Sequence, residues 1–247
     1  MASTSETGHA KNVANFDELL SFVIGYGTNY NPSKESIKLT ALQTLAANAK
    51  TVNSAVNAAL PAYSNAVAAR TTAFSPLSKH ITRVLNALKA TDTTVLVDDT
   101  AKTLVRKIQG TRATAKKTEE EKKTLLAEGI ETKEVSSSQM SSDSRLENFD
   151  KLIQLLGSVT LYAPNEEDLK ITTLTALYND LKTKNAAVVS ATIPLSNARI
   201  ARNEVLYKDL VGLHDLSLDV KTYIKSVFGA TSPQYKQISG LKFTNPR

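Results

Sequence analysis

The sequence predicts an all-α protein, an elongated antiparallel helical bundle made of two homologous repeats. Three observations predict it. Two stretches repeat at a fixed spacing, apolar residues recur every three or four positions over long runs, and helix breakers are scarce. The 247-residue chain holds only 9 Gly and 7 Pro. A many-turned β fold would need more of both. Core filling falls to Leu, Val, Ile and many Ala, with no Trp, and Ala and Leu are strong helix formers.

The repeat is read at an offset of 132. YNPSKESIKLTALQTL, from Tyr30 to Leu45, aligns with YAPNEEDLKITTLTAL, from Tyr162 to Leu177, with seven of sixteen positions identical. The same offset aligns SNAVAAR (Ser64 to Arg70) with SNARIAR (Ser196 to Arg202), where five of seven match. Composition alone would give about one or two matches over this span. Asn15-Phe16-Asp17 and Asn148-Phe149-Asp150 open the two units alike. The second copy is eight residues longer between its Ser-Asn-Ala block and its closing Ala-Thr (Ala90-Thr91 against Ala230-Thr231). The expected organisation is a flexible tail over 1–14, repeat 1 over 15–110, a charged and Ser-rich insert over 111–147, and repeat 2 over 148–247.

Within each unit the first helix is short. Phe16, Leu19, Leu20, Val23 and Ile24 follow the spacing of one buried face, and Phe149, Leu152, Ile153 and Leu156 repeat it. Asn15 and Asn148 are the expected N-caps, with Glu18 three residues on as in a capping box. Gly25-Tyr26-Gly27 reads as a helix C-terminus. The second helix is expected to start near Pro32 and Pro164, where a missing amide does no harm. Glu166, Glu167 and Asp168 would then face the positive end of its dipole. A heptad-like seam follows at Leu42, Leu45, Ala49, Val52, Val56, Ala59, Tyr63, Ala66, Arg70, Phe74, Leu77, Ile81, Val84 and Leu88. It keeps phase through Pro61, and near Pro194 in the second copy. That phase favours one long kinked helix over a hairpin turn. Val95 to Ile108 is a further amphipathic helix with Ala101, Leu104, Val105 and Ile108 inward. In the insert, Thr118 can cap a charged helix through Glu119, Glu120 and Glu121. The serines at 136–138, 141, 142 and 144 read as a loop.

Composition excludes several functions. With no Cys, disulfides, zinc-thiolate sites and thiol nucleophiles are ruled out. His9, His80 and His214 form no Glu-x-x-His or His-Glu-x-x-His pattern, and His214-Asp215 is poor geometry for a shared ligand. No phosphate-binding loop or nucleophile elbow occurs. No catalytic, metal or cofactor residue is therefore expected, and the protein is read as non-enzymatic. The polar N-terminus lacks the apolar core of a signal peptide, and no run approaches a membrane span. The expected location is cytoplasmic, with no membrane contact.

The formal charge of +6 is spread thinly: 8 basic and 4 acidic residues over 1–91, 10 and 11 over 92–147, 12 and 9 over 148–247. Candidate partner or anion contacts are the repeated Arg70 and Arg202 in their Ala-rich seam, and the basic Arg106, Lys107, Arg112, Lys116 and Lys117. Three functions are weighed. A structural or protein-interaction bundle, self-associating or bound to a protein partner, comes first. Weak nucleic-acid association through the basic residues, joined by Lys236, Lys242 and Arg247, comes second. An enzyme with a cleft built from equivalent residues, Arg70 and Arg202 or Tyr30 and Tyr162, comes last.

The Asn-Phe-Asp openings, the Tyr-x-Pro helix starts and the Ser-Asn-Ala-x-x-Ala-Arg blocks resemble those of a family of uncharacterised bacterial proteins with the same duplicated all-helical layout. The resemblance covers most of the chain. It implies a helical fold and no activity, cofactor or functional residue.

Overall fold

The computed structural model describes residues 8–111, 118–127 and 140–245. Among them the chain is all-α, with no strand. In chain order the helices are α1 (His9–Gly25), α2 (Leu39–Phe74), α3 (Leu77–Lys89), α4 (Val95–Gln109), α5 (Glu119–Ala127), α6 (Ser142–Ser158), α7 (Ile171–Tyr207), α8 (Leu213–Phe228) and α9 (Pro233–Ser239). Short 3-10 turns at Glu35–Ile37 and Glu167–Leu169 precede the two long helices.

The seam read from the sequence faces inward throughout. Leu42, Ala49, Val56, Phe74, Leu77, Ile81, Val84 and Leu88 are buried, and the remaining members are half-buried. The helix runs on through Pro61 in α2 and through Pro194 in α7. Both prolines are exposed, so the carbonyl each leaves without an amide partner is open to water. The break falls later, at Ser75-Pro76, where proline stands directly before α3.

The chain divides into two compact units that differ from its two sequence halves. The first is residues 1–65 with 190–247, the second 66–189. The core of the first unit joins Phe16, Leu19 and Val23 of α1 and Leu42 of α2 to Leu206, Leu213, Val220, Ile224 and Ile238. The core of the second joins Leu77, Ile81 and Val84 of α3 and Ala101, Val105 and Ile108 of α4 to Phe149, Leu152, Leu156 and Leu174. Each core therefore needs residues from both halves of the sequence. In the first unit α1 packs on α8 and α9; in the second α4 packs on α6. Helices α2 and α7 each supply residues to both units.

Several expected boundaries are corrected. Helix α1 begins at His9, so residues 9–14, expected in a flexible tail, are helical. Asn15 and Asn148 lie inside α1 and α6, and neither is a cap. The cap of α6 is Ser141, whose hydroxyl accepts the Ser144 amide at 3.1 Å. An apolar pattern locates a buried face but not the polar turns that extend a helix beyond it, which is why both starts were misplaced. Ile24, expected in the buried face, is exposed. Helices α2 and α7 start at Leu39 and Ile171, seven residues after Pro32 and Pro164. Glu167 and Asp168, expected in a first α-helical turn, lie in the intervening 3-10 turn, and Glu166 stands just before it.

Other expectations hold. Ala101, Val105 and Ile108 of α4 are buried, with Leu104 half-buried. Thr118 caps α5 reciprocally: its hydroxyl accepts the Glu121 amide at 3.2 Å, and Glu121 Oε2 accepts the Thr118 amide at 2.8 Å. That is the capping box satisfying two orphan donors. Residues 112–117 and the serines at 136–138 lie outside the described residues, while Ser142 and Ser144, expected in a loop, belong to the first turn of α6.

Candidate functional site

The first unit carries a buried polar cluster where the sequence suggested a loose tail. His9, Asn12 and Asn15 of α1 are 1%, 1% and 3% exposed. Buried polar side chains must find partners or cost free energy, and these find them far along the chain. His9 Nδ1 lies 2.7 Å from the Tyr207 hydroxyl, and Asn12 Nδ2 donates to the same hydroxyl at 3.1 Å. Asn12 also grips the backbone of Thr244 from both sides. Its Nδ2 donates to the Thr244 carbonyl at 2.7 Å, and its Oδ1 accepts the Thr244 amide at 3.0 Å. Asn15 Nδ2 donates to the Lys242 carbonyl at 2.6 Å. Lys221 Nζ donates to the carbonyls of Ser239 and Leu241 at 3.0 and 2.9 Å. The segment after α9 is thus strapped to α1 through its backbone. Burial raises the Tyr207 phenol above its ordinary value, with the Asn12 hydrogen bond and the Arg202 charge opposing. Burial lowers the Lys221 ammonium.

Arg202 lies in the same unit and is fully buried. Its guanidinium donates to Asn203 Oδ1 from Nε and one terminal nitrogen, at 3.2 and 3.1 Å. Arg70 lies in the second unit, half-buried, and donates to Asn185 Oδ1 at 3.1 Å. Asn185 passes the chain on by donating to Asp143 Oδ1 at 2.7 Å. The two repeated arginines thus have separate settings, each with local partners. Tyr30 and Tyr162 are divided in the same way between the units.

Around Tyr162 the second unit has an open groove of about 540 Å³, lined by Arg83, Asn86, Asn165 and Glu166 among others. Two of its polar side chains are already engaged. The Tyr162 hydroxyl donates to the Leu169 carbonyl at 2.8 Å, and Arg83 pairs with Asp168 through both terminal nitrogens. That hydrogen bond holds the Asp168 carboxyl below its usual range. Burial, then the charges of Asp168 and Glu166, push the Tyr162 phenol up to about 12. His80 Nδ1 is 3.9 Å from Asp168, and its buried Nε2 finds no hydrogen-bond partner among the described residues. In the first unit Tyr223 stands edge-on to Tyr30, and its hydroxyl accepts the Asn31 amide at 3.2 Å.

Of the basic candidates, Arg106 and Lys107 sit in the last turn of α4, where cations favour the helix dipole. Lys236 and Lys242 are exposed in the first unit. Arg112, Lys116, Lys117 and Arg247 lie outside the described residues. No group of three or more His, Asp or Glu that could hold a metal occurs among the described residues. None of their helices is long and apolar enough to cross a membrane.

The loop between α7 and α8 carries a feature the sequence reading missed. Leu210 is the one described non-glycine residue with positive φ, at 67°, and its side chain is 76% exposed. Val211 beside it is 52% exposed. Asp215 holds the loop: its Oδ2 accepts the Leu210 amide at 2.8 Å, while its Oδ1 lies 2.8 Å from His214 Nδ1. The adjacent His214 and Asp215 therefore meet through their side chains. The signal available in the sequence was the extra length of the second copy, part of which is this loop. Comparison with known protein families, with curated proteins and with solved structures finds no match to this chain.

Proposed function

We propose that this chain is a non-enzymatic protein-interaction scaffold made of two homologous helical repeats, akin to the duplicated bacterial family it resembles. Equivalent local structure at the repeat offset supports the duplication. Tyr30 donates to the Ile37 carbonyl at 2.7 Å as Tyr162 donates to Leu169 at 2.8 Å. Lys38 pairs with Glu35 as Lys170 pairs with Glu167. Leu42 and Leu174 are both buried.

The observation that carries the interaction reading is the Leu210-Val211 tip. A leucine in the left-handed region costs roughly 1–2 kcal/mol, and exposing two large apolar side chains gains nothing for the free molecule. Strain of this kind persists where a surrounding hydrogen bond enforces it, and it clusters at functional positions. Here the Asp215 carboxylate enforces it. The arrangement presents an apolar knob to a pocket on another protein. The test is capture from native lysate with tagged protein and with L210S/V211S, after circular dichroism establishes that both are folded. A partner held by the parent chain and lost by the variant supports the reading. Identical capture by both overturns it.

A further inference from the structure

On the duplication proposed above, α3 and the turn before α7 in the second unit correspond to α8 and the turn before α2 in the first. Burial fixes the register of the two helices. Leu77, Ile81, Val84 and Leu88 of α3 are buried, and so are Leu213, Ser217, Val220 and Ile224 of α8, each 136 residues on. The ion pairs agree with that register. Arg83 of α3 reaches Asp168 in the Glu167–Leu169 turn, and its counterpart Asp219 of α8 reaches Lys34, directly before the Glu35–Ile37 turn. The charges are exchanged, but each pair ties the helix to the corresponding turn.

At one position of this register the two units differ in size. Where α8 has Tyr223, α3 has Ala87. In the first unit the Tyr223 ring stands edge-on to Tyr30, 5.2 Å between centroids, and its hydroxyl accepts the Asn31 amide at 3.2 Å. In the second unit the counterparts Tyr162 and Ala163 line the groove of about 540 Å³, and Ala87 lines it with them. The groove therefore lies where the first unit holds a tyrosine side chain. Two further differences go with it. Pro32 is buried, whereas Pro164 is half-buried and lines the groove. The Ala163 amide turns back instead to the Leu161 carbonyl, at 3.1 Å. A bond to the second residue back closes a tight ring and is bent, which weakens it. An incoming acceptor can replace it.

We propose that the groove beside Tyr162 is a binding site for a tyrosine side chain of another polypeptide, its ring against Tyr162 and its hydroxyl accepting the Ala163 amide. A tyrosine suits such a place because its ring fills apolar space while its hydroxyl finds a partner. The volume exceeds what one ring needs and lies in the range of about 300–1,000 Å³ that takes larger ligands. Leu161, next to Tyr162, is 53% exposed and offers a contact for residues flanking the incoming tyrosine. The proposal rests on the duplication and interaction reading above, but it uses a different surface from the Leu210-Val211 tip.

The test uses the full chain, purified and isotope-labelled, with the Ala163 amide resonance as its readout. The probes are a capped Gly-Gly-Tyr-Gly-Gly peptide, its phenylalanine counterpart, and p-cresol. The tyrosine peptide is expected to shift the resonance saturably. The phenylalanine peptide brings the ring without the acceptor and is expected to bind about fivefold more weakly. The phenol p-cresol lacks the flanking chain and is expected to bind at least about fivefold more weakly too. A87Y supplies the ring from α3 itself, and is expected to abolish the shift and slow exchange of the Ala163 amide. Y223A is expected to open a second site, read at the Asn31 amide. A parent chain whose Ala163 amide ignores the tyrosine peptide up to its solubility limit overturns the proposal, and that result needs no variant to fold. So does equal binding of the tyrosine and phenylalanine peptides, or a shift that survives in folded A87Y. Binding of p-cresol as tight as that of the peptide overturns the assignment to a polypeptide. None of these results touches the Leu210-Val211 reading, which is decided by lysate capture with L210S/V211S.

Discussion

Replacing Asn12 tests the strap that ties the end of the chain to α1. Asn12 is 1% exposed and makes three hydrogen bonds, one to the Tyr207 hydroxyl and two to the Thr244 backbone. Each such bond contributes about 1 kcal/mol net. In N12A the Tyr207 hydroxyl keeps its contact with His9 Nδ1, and the Thr244 amide and carbonyl regain water once the segment lifts. The cost should therefore fall between about 1 and 3 kcal/mol. Most of it should appear as local opening, because α9 and the core residue Ile238 are anchored independently. Hydrogen exchange read at the Thr244 amide is the direct assay. Exchange is expected to accelerate by about fivefold to a hundredfold in N12A, since 1.4 kcal/mol is a factor of ten in an opening equilibrium. N12D should be worse, because it replaces the donor facing the Thr244 carbonyl with a second acceptor. An unchanged Thr244 exchange rate in N12A would refute the reasoning.

Other outcomes follow from the same structure. L42A and L174A remove fully enclosed side chains, and each is expected to cost about 2–5 kcal/mol in urea unfolding. P61A and P194A restore an amide inside a continuous helix at an exposed position. Each should stabilise by about 1–3 kcal/mol in thermal unfolding, a bare helix-interior proline costing roughly 3. The Tyr162 phenol is raised by burial to about 12, so the folded state keeps its proton while the unfolded chain loses it near 10. Stability is then full below about pH 10 and falls as pH rises toward 12. Unfolding followed against alkaline pH should show a shallower decline in Y162F.

Where a residue's role is set by its near neighbours in sequence, the fold was legible. The α4 set of Ala101, Val105 and Ile108 follows from spacing alone, and so does the seam through α2 and α3. The Thr118 cap was legible because both partners lie within three residues. What escaped depends on distant partners. His9 and Asn12 read as a polar tail because their partners, Tyr207 and Thr244, stand some two hundred residues away. Asn15 was read as a cap because its true partner is the Lys242 carbonyl. Pro32 and Pro164 were read as helix starts because proline fits a first turn as well as the extended lead-in seen here. Arg70 and Arg202 stand out in the sequence as charged members of an apolar seam, and in the structure they donate to Asn185 and Asn203. Their partners, Asn185 and Asn203, carry no pattern that would have identified them. The Leu210 tip needed a backbone angle that sequence does not supply.

The central structural claim is that each compact unit draws on both halves of the chain, so that neither half of the sequence is a folding unit. It is tested by expressing residues 1–127 and 140–247 as separate chains and following their thermal unfolding by circular dichroism, alone and mixed. No cooperative transition is expected from either fragment alone, and a single restored transition is expected on mixing, as the cores around Phe16 and Phe149 recover their missing faces. Two fragments that each unfold cooperatively alone, with no change on mixing, would contradict it.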